Sequence, residues 1–148
     1  MSGIGDEVLA EARRWLGTGY VHQASARGAG CDCLGLLRGI WRRLYGGEPE
    51  VAPAYTADWS EASREERLWQ AATRHLQPKP VGEAAAGDVL LLRMRDAGVA
   101  KHLGVAGEVG AAPTFVHAYT GHGVIESPLS APWRRRIVAR FSFPERGN

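Results

Sequence analysis

The sequence predicts an α+β fold in which helices come first and an antiparallel β-sheet follows. Three segments before residue 77 carry apolar residues at helical spacing, and from residue 88 onward apolar and polar residues alternate as they do in strands. Helices that precede a run of strands are typical of α+β domains rather than of doubly wound parallel sheets. The length of 148 residues suits one domain, spanning residues 1–148, around a single core.

The first two predicted helices span Asp6–Leu16 and Cys33–Tyr45. Glycines follow the apolar stripe of each and end it. The stripe of the second helix consists of Cys33, Leu37, Ile40, Trp41 and Leu44. Cys33 therefore stands in the first turn of a central helix, on its buried side.

A third helix is predicted over Ser63–Leu76. A capping-box spacing marks its start, and two prolines follow its last apolar residue. The segments Val21–Gly30 and Glu48–Trp59 contain glycine or proline and little periodicity. We expect both segments to be loops that shape a cleft.

Five strands are predicted, over Val89–Arg93, His102–Ala106, Thr114–Tyr119, Gly123–Ser127 and Ile137–Phe143. A short loop with glycine and proline joins the second strand to the third, which favours a hairpin. In that hairpin His102 and His117 are near cross-strand neighbours on one face of the sheet. We expect the start of the second helix, with Cys33, to pack against this histidine face.

Composition argues against several classes of function. The net charge of +2 gives no reason to expect a nucleic-acid partner, and the basic run Arg134–Arg136 is typical of a solvated turn. Acidic residues such as Asp6 and Glu7 interrupt any signal peptide, and the apolar run Val89–Leu92 is too short to span a membrane. We therefore expect a protein that is made in the cytoplasm without a signal peptide and does not insert into a membrane.

The sequence contains the groups that a cysteine nucleophile needs, which are a thiol at a helix start and imidazoles on strands. The helix amides and dipole favour a thiolate, and a nearby imidazolium lowers the thiol pKa. In this arrangement His102 takes the proton of Cys33 and His117 holds the first imidazole in the right tautomer. The backbone N–H of Cys33 stabilises an oxyanion, and Tyr20 adds a phenolic O–H.

Structural and metal-binding roles for the same residues stay open. A cysteine in a buried stripe is often a small hydrophobe, and Asp32 favours a helix N-terminus through its charge alone. Cys31 and Cys33, with scattered histidines, are compatible with a metal, although the paired two-residue spacings of zinc sites are absent. The two cysteines are too close in sequence for a comfortable disulfide. The thiol chemistry requires neither a metal nor a cofactor, and none is predicted.

Four ordered motifs resemble those of the NlpC/P60 family of cell-wall cysteine peptidases. They are Leu16–Tyr20 (similar to Gly-Thr-Pro-Tyr), Cys31–Leu36 (similar to Asp-Cys-Ser-Gly-Leu), Ala86–Leu90 (similar to a Gly-Asp-Leu strand opening), and the pair His102–Val105 and Phe115–Ala118 (similar to the two histidine strands). The resemblance covers roughly residues 6–143, nearly the whole chain.

The resemblance implies a papain-like fold with Cys33 as nucleophile, His102 as base and His117 as orienting residue. It also implies that Tyr20 lines the site and that Asp32 lies near the polar end of the substrate. The implied substrates are the stem peptides of peptidoglycan, often cut between γ-D-Glu and diaminopimelate.

Two positions in these motifs depart from the family pattern. Leu34 stands where many members have serine, and Gly19 replaces proline. The Cys-Leu-Gly-Leu form resembles a phage-type branch that is encoded among tail genes of phages and gene transfer agents. This branch implies tail proteins as partners, carriage on a particle and action at the cell wall. Two alternatives stay open: a structural tail component that keeps the fold for docking, and a Cys–His acyltransferase or amidase on another substrate.

Overall fold

The computed structural model describes residues 3–50, 66–95 and 98–146 and has the α+β architecture that the sequence predicts. Its helices are α1 (Ile4–Arg14), α2 (Cys33–Tyr45), α3 (Arg67–His75) and the short α4 (Ala131–Arg134). Its strands are β1 (Ser25–Ala26), β2 (Gly30–Cys31), β3 (Gln77–Lys79), β4 (Val89–Arg93), β5 (Ala100–Ala106), β6 (Thr114–Tyr119), β7 (Gly123–Pro128) and β8 (Ile137–Ser142).

Six of these strands form one antiparallel sheet in the order β3-β8-β4-β5-β6-β7. Strand β4 lies inside the sheet, and its first four side chains are fully buried. Val89 and Leu91 belong to the larger core cluster with the helices, whereas Leu90 and Leu92 belong to a smaller cluster. Because side chains alternate along a strand, the sheet has two covered faces.

The helices α1 and α2 cover the face that contains the larger cluster. The apolar stripe of α2 does not pack against the histidine face, whereas Cys33 at the start of this helix contacts the backbone on both sides of His102. The apolar stripe of α2 shares a core cluster with Leu103 and Val116, because an apolar stripe buries best against apolar side chains. His102 and His117 alternate with those residues and pack instead against the ring of Trp133.

Strands β5 and β6 pair over only two positions among the described residues, so they separate beyond the loop that joins them. The two strands pair at Val105↔Val116 and Ala106↔Phe115, next to the loop that joins them. Further along, the start of α2 meets β5 at Lys101 and Leu103. The site therefore forms where these two strands separate, between the two faces of the sheet.

Several elements differ from the sequence prediction. The predicted loop at residues 21–30 contains β1, which pairs with β2 in a small hairpin. No sequence pattern predicts β3, because Pro78 argues against a strand; β3 is an edge strand beside β8, where proline is tolerated. The predicted start of the third helix at Ser63 lies outside the described residues, as does most of Glu48–Trp59. Within the described ranges, no helix combines the length and apolar character needed to cross a bilayer.

Candidate active site

Asp32 fixes the start of α2 and the loop before it. Its Oδ1 accepts a hydrogen bond from the Gly35 N–H at 2.7 Å, which caps the helix, and its Oδ2 accepts one from the Gln23 N–H at 2.7 Å. Gln23 has a φ of 65°, in the left-handed region that side chains rarely adopt. The side chain of Asp32 is 3% exposed. The structure therefore shows Asp32 as a capping residue, while the substrate contact implied by the resemblance stays a prediction.

Gly35 allows the loop to close over the helix start. A Cβ at this position would overlap the Ala24 carbonyl oxygen. We expect Gly35→Ala to lower the free energy of unfolding by about 1–3 kcal/mol, because the loop backbone must move. Gly47→Ala is the matched control, since a Cβ there meets no atom within 4 Å and should change stability by less than about 0.5 kcal/mol. Equal urea midpoints for the two variants would contradict this account of the loop.

The thiol of Cys33 lies among backbone groups of α2 and β5. It donates to the Lys101 carbonyl at 3.9 Å, and the N–H groups of Leu103, Leu34 and Cys33 itself point at the sulfur. The sulfur thus contacts the backbone on both sides of His102. The N–H groups of Cys33 and Leu34 are among the amides that a helix start leaves without an intrahelical partner.

The expectation that the thiol pKa is lowered is wrong for this arrangement. Burial, and after it the carboxylate charge of Asp32, raises the pKa of Cys33 to about 12. The residue is only 6% exposed, so removal of water from a thiolate outweighs the favourable amides. At neutral pH the sulfur is a neutral thiol.

His102 and His117 form a buried pair. The Nε2 atom of His102 lies 2.7 Å from Nδ1 of His117. Burial, together with His117, lowers the pKa of His102 to about 3, and burial with the nearby His122 lowers the pKa of His117 to about 4. Both imidazoles are therefore neutral at pH 7, and Nδ1 of His102 is the nitrogen left for the thiol proton.

Two residues beside the histidines are missed by the sequence analysis. Ser127 Oγ lies 2.9 Å from His117 Nε2, and the ring of Trp133 stacks on His102 with centroids 5.9 Å apart. The alternation of side chains along a strand is a signal for Ser127, because the register Phe115↔Ser127 between β6 and β7 places it on the face of His117. Trp133 lies on a helix that no periodicity predicts.

Tyr20 lies beside the segment that leads into α2, while its role in lining the site stays a prediction. Its segment forms a parallel bridge with Cys31, and the phenol is half-buried. Burial raises the pKa of Tyr20, while a hydrogen bond from the Thr120 hydroxyl opposes that shift. The phenol is therefore protonated at neutral pH and able to donate a hydrogen bond.

The neighbouring Cys31 is fully buried. Both cysteines are free thiols, and burial raises the pKa of Cys31 to about 12. Among the described residues, no group of three or more His, Cys, Asp or Glu side chains is arranged to hold a metal ion.

The free energy of unfolding is expected to fall as the pH drops below about 6.5. In that range an unfolded chain protonates His102 and His117, whereas the folded chain resists protonation down to pKa values of about 3 and about 4. The stability is fully present above pH 6.5 and is lost toward these lower pKa values. The slope reaches about 1.4 kcal/mol per pH unit for each histidine.

Urea unfolding between about pH 7.5 and about pH 5 measures this slope above the range in which carboxylates titrate. His102→Gln is expected to remove about half of it, since one of the two buried imidazoles is then absent. A stability that is flat over this range would show that the pair is not held neutral.

The similarity of this chain to known proteins is found in its structure. No protein family profile matches the sequence, and no curated protein does. The NlpC/p60 domain of the peptidoglycan hydrolase SagA superposes with a TM-score of 0.63 at 21% identity, over 94% of this chain and 98% of that domain. An NlpC/P60 family protein from Bacillus cereus ATCC 10987 gives a TM-score of 0.64 at 15% identity, over 94% of this chain and 40% of that one.

The chain has the NlpC/P60 fold. The chain also superposes on the structure of Ly7917 with the hydrolyzing product of MDP, at a TM-score of 0.61 and 16% identity. That match covers 95% of this chain and 63% of Ly7917. The chain thus spans less than two thirds of two of these three structures.

Proposed function

We propose that this chain is a cysteine peptidase that hydrolyses peptide bonds in the stem peptides of peptidoglycan. One observation carries the proposal: the Cys33 sulfur lies against the backbone on both sides of His102, whose ring is hydrogen-bonded to His117. The NlpC/P60 fold supports the substrate class, because SagA, which shares it, is a peptidoglycan hydrolase.

The first chemical step is attack by sulfur on the scissile carbonyl carbon. Since Cys33 and His102 are both uncharged at rest, His102 Nδ1 takes the thiol proton as the S–C bond forms. The carbonyl oxygen becomes an oxyanion and His102 an imidazolium. The N–H groups at the start of α2 and the Tyr20 phenol are the donors available to the oxyanion.

The second step releases the amine and the third restores the enzyme. His102 returns its proton to the leaving nitrogen as the C–N bond breaks, which leaves a thioester on Cys33. Water then attacks the thioester carbonyl and gives its proton to His102. The S–C bond breaks, the thiolate takes that proton back, and a carboxylic acid leaves.

The proposal includes the bond that is cut, between γ-D-Glu and diaminopimelate. It rests on the resemblance of the motif at Cys31–Leu36 to the family nucleophile motif. Mass spectrometry of purified peptidoglycan fragments, incubated with wild-type protein and with Cys33→Ala, tests both the activity and the bond. Wild type is expected to give new fragments that begin with diaminopimelate, and Cys33→Ala none.

Cys31→Ala is the matched control for this experiment. It removes the other buried thiol, two residues away, and is expected to leave the fragment pattern unchanged. Cleavage by Cys33→Ala would overturn the proposal. No cleavage by the wild type would favour the structural tail component that keeps the fold for docking.

Delivery by a phage-like tail, with action at the cell wall, is the second part of the proposal. Its support is the Cys-Leu-Gly-Leu form at Cys33–Leu36, which resembles the phage-type branch. Quantitative mass spectrometry of purified particles from the host is the test. Enrichment with tail proteins is expected, and the protein's absence from particles that contain every other tail protein would refute this part.

A further inference from the structure

His102, His117 and Ser127 form a hydrogen-bonded row that leads away from the thiol. His102 Nε2 lies 2.7 Å from His117 Nδ1, and His117 Nε2 lies 2.9 Å from Ser127 Oγ. His117 is fully buried, so its two ring nitrogens depend on these two partners. Ser127 is half-buried on β7, an edge strand of the sheet.

Each neutral imidazole carries one N–H, so the row has two possible directions. In the outward direction, His102 Nε2–H donates to His117 Nδ1 and His117 Nε2–H donates to Ser127 Oγ. In the inward direction, the Ser127 hydroxyl donates to His117 Nε2 and His117 Nδ1–H donates to His102 Nε2. Only the outward direction leaves a lone pair on His102 Nδ1, which the removal of the thiol proton requires.

We propose that Ser127 is a positioning residue that sets the tautomers of both histidines by accepting a hydrogen bond from His117 Nε2–H. Its half-buried position favours this role, because the hydroxyl hydrogen can then be donated to water while the oxygen faces His117. The outward row also points every N–H away from the nitrogen that receives the thiol proton, and it stabilises the imidazolium that results. This inference rests on the proposed peptidase function for its kinetic consequence, but the tautomers themselves do not depend on it.

The wild-type protein provides the first test. Nitrogen-15 NMR of histidine-labelled protein at neutral pH distinguishes a ring nitrogen that carries hydrogen from one that does not. We expect N–H at Nε2 of both His102 and His117. A hydrogen on Nδ1 of His102 in the resting protein would overturn the proposal without any variant.

The variant Ser127→Ala tests whether Ser127 sets the tautomers of His102 and His117. Without an acceptor, an N–H on His117 Nε2 is buried and unsatisfied, which costs more than a bare lone pair there. The row is therefore expected to reverse, with N–H appearing on His117 Nδ1 and His102 Nδ1. We expect kcat for stem-peptide cleavage to fall by about 100-fold with KM within about twofold of wild type.

Two further variants separate positioning from packing. Ser127→Thr keeps the hydroxyl and is expected to keep the wild-type tautomers and most of kcat. Ser142→Ala removes another half-buried serine, on β8, and should change neither quantity. Unchanged tautomers in Ser127→Ala would overturn the inference. A reversed row in a protein whose wild type cuts no peptidoglycan would instead refute the proposed function alone.

Discussion

Replacing His102 by glutamine is expected to lower kcat for stem-peptide cleavage by about 10³-fold. The variant removes the nitrogen that accepts the thiol proton. It keeps an amide N–H that can donate to His117 Nδ1, the partner 2.7 Å away in the wild type, so the buried pair is not left unsatisfied. Steady-state kinetics on a soluble stem peptide, with circular dichroism to confirm folding, measures the effect.

His75→Gln is the matched control for the base. His75 lies on α3, where it pairs with Glu50 and packs edge-on against Trp41. We expect this variant to cleave at the wild-type rate. A His102→Gln enzyme within tenfold of the wild-type kcat would show that another group removes the thiol proton.

Replacing Arg140 by leucine is expected to cost about 1.5–3 kcal/mol of unfolding free energy. Arg140 and Asp88 form a buried ion pair with a separation of 2.8 Å, and their side chains are 6% and 4% exposed. Asp88 also accepts hydrogen bonds from the Ala85 N–H and from Lys79. Among the described residues, loss of Arg140 leaves this buried carboxylate with the Ala85 N–H and the Lys79 ammonium as partners, at the residue just before β4.

Two comparisons isolate the buried charge as the cause. In Arg140→Leu with Asp88→Asn, the carboxylate is also removed, and we expect more than half of the lost stability to return. Arg74→Leu breaks an exposed pair with Glu50 at 3.0 Å and should cost less than about 1 kcal/mol. Equal losses in Arg140→Leu and Arg74→Leu, measured by urea unfolding, would contradict this account.

Much of the fold could be predicted from local periodicity. The second helix begins and ends where its apolar stripe and Gly46 place it, at Cys33 and Tyr45. The bounds of β4 and β6 also match, because alternating side chains in these strands are buried against two different clusters. The turn at residues 121–123 joins β6 to β7 with positive φ at Gly121 and Gly123, a backbone conformation that its Gly-His-Gly sequence favours.

The parts that could not be predicted depend on long-range contacts. The edge strand with Pro78 exists because β8 pairs with it, and no local pattern carries that information. The same is true of Trp133, which reaches the histidines from a four-residue helix. The raised pKa of Cys33 follows from its burial, and a sequence pattern at a helix start does not show how much water the folded chain removes from the thiolate.

An affinity label identifies the nucleophile, which we propose is Cys33. A γ-D-glutamyl stem-peptide analogue with a diazomethyl ketone at the scissile carbonyl alkylates an attacking thiol with loss of N₂. Peptide mapping by mass spectrometry then locates the adduct, and Cys31, two residues away, is an internal control. We expect label on Cys33 alone, with none bound by Cys33→Ala. Label on Cys31, or cleavage of peptidoglycan by a protein whose Cys33 is never labelled, would contradict it.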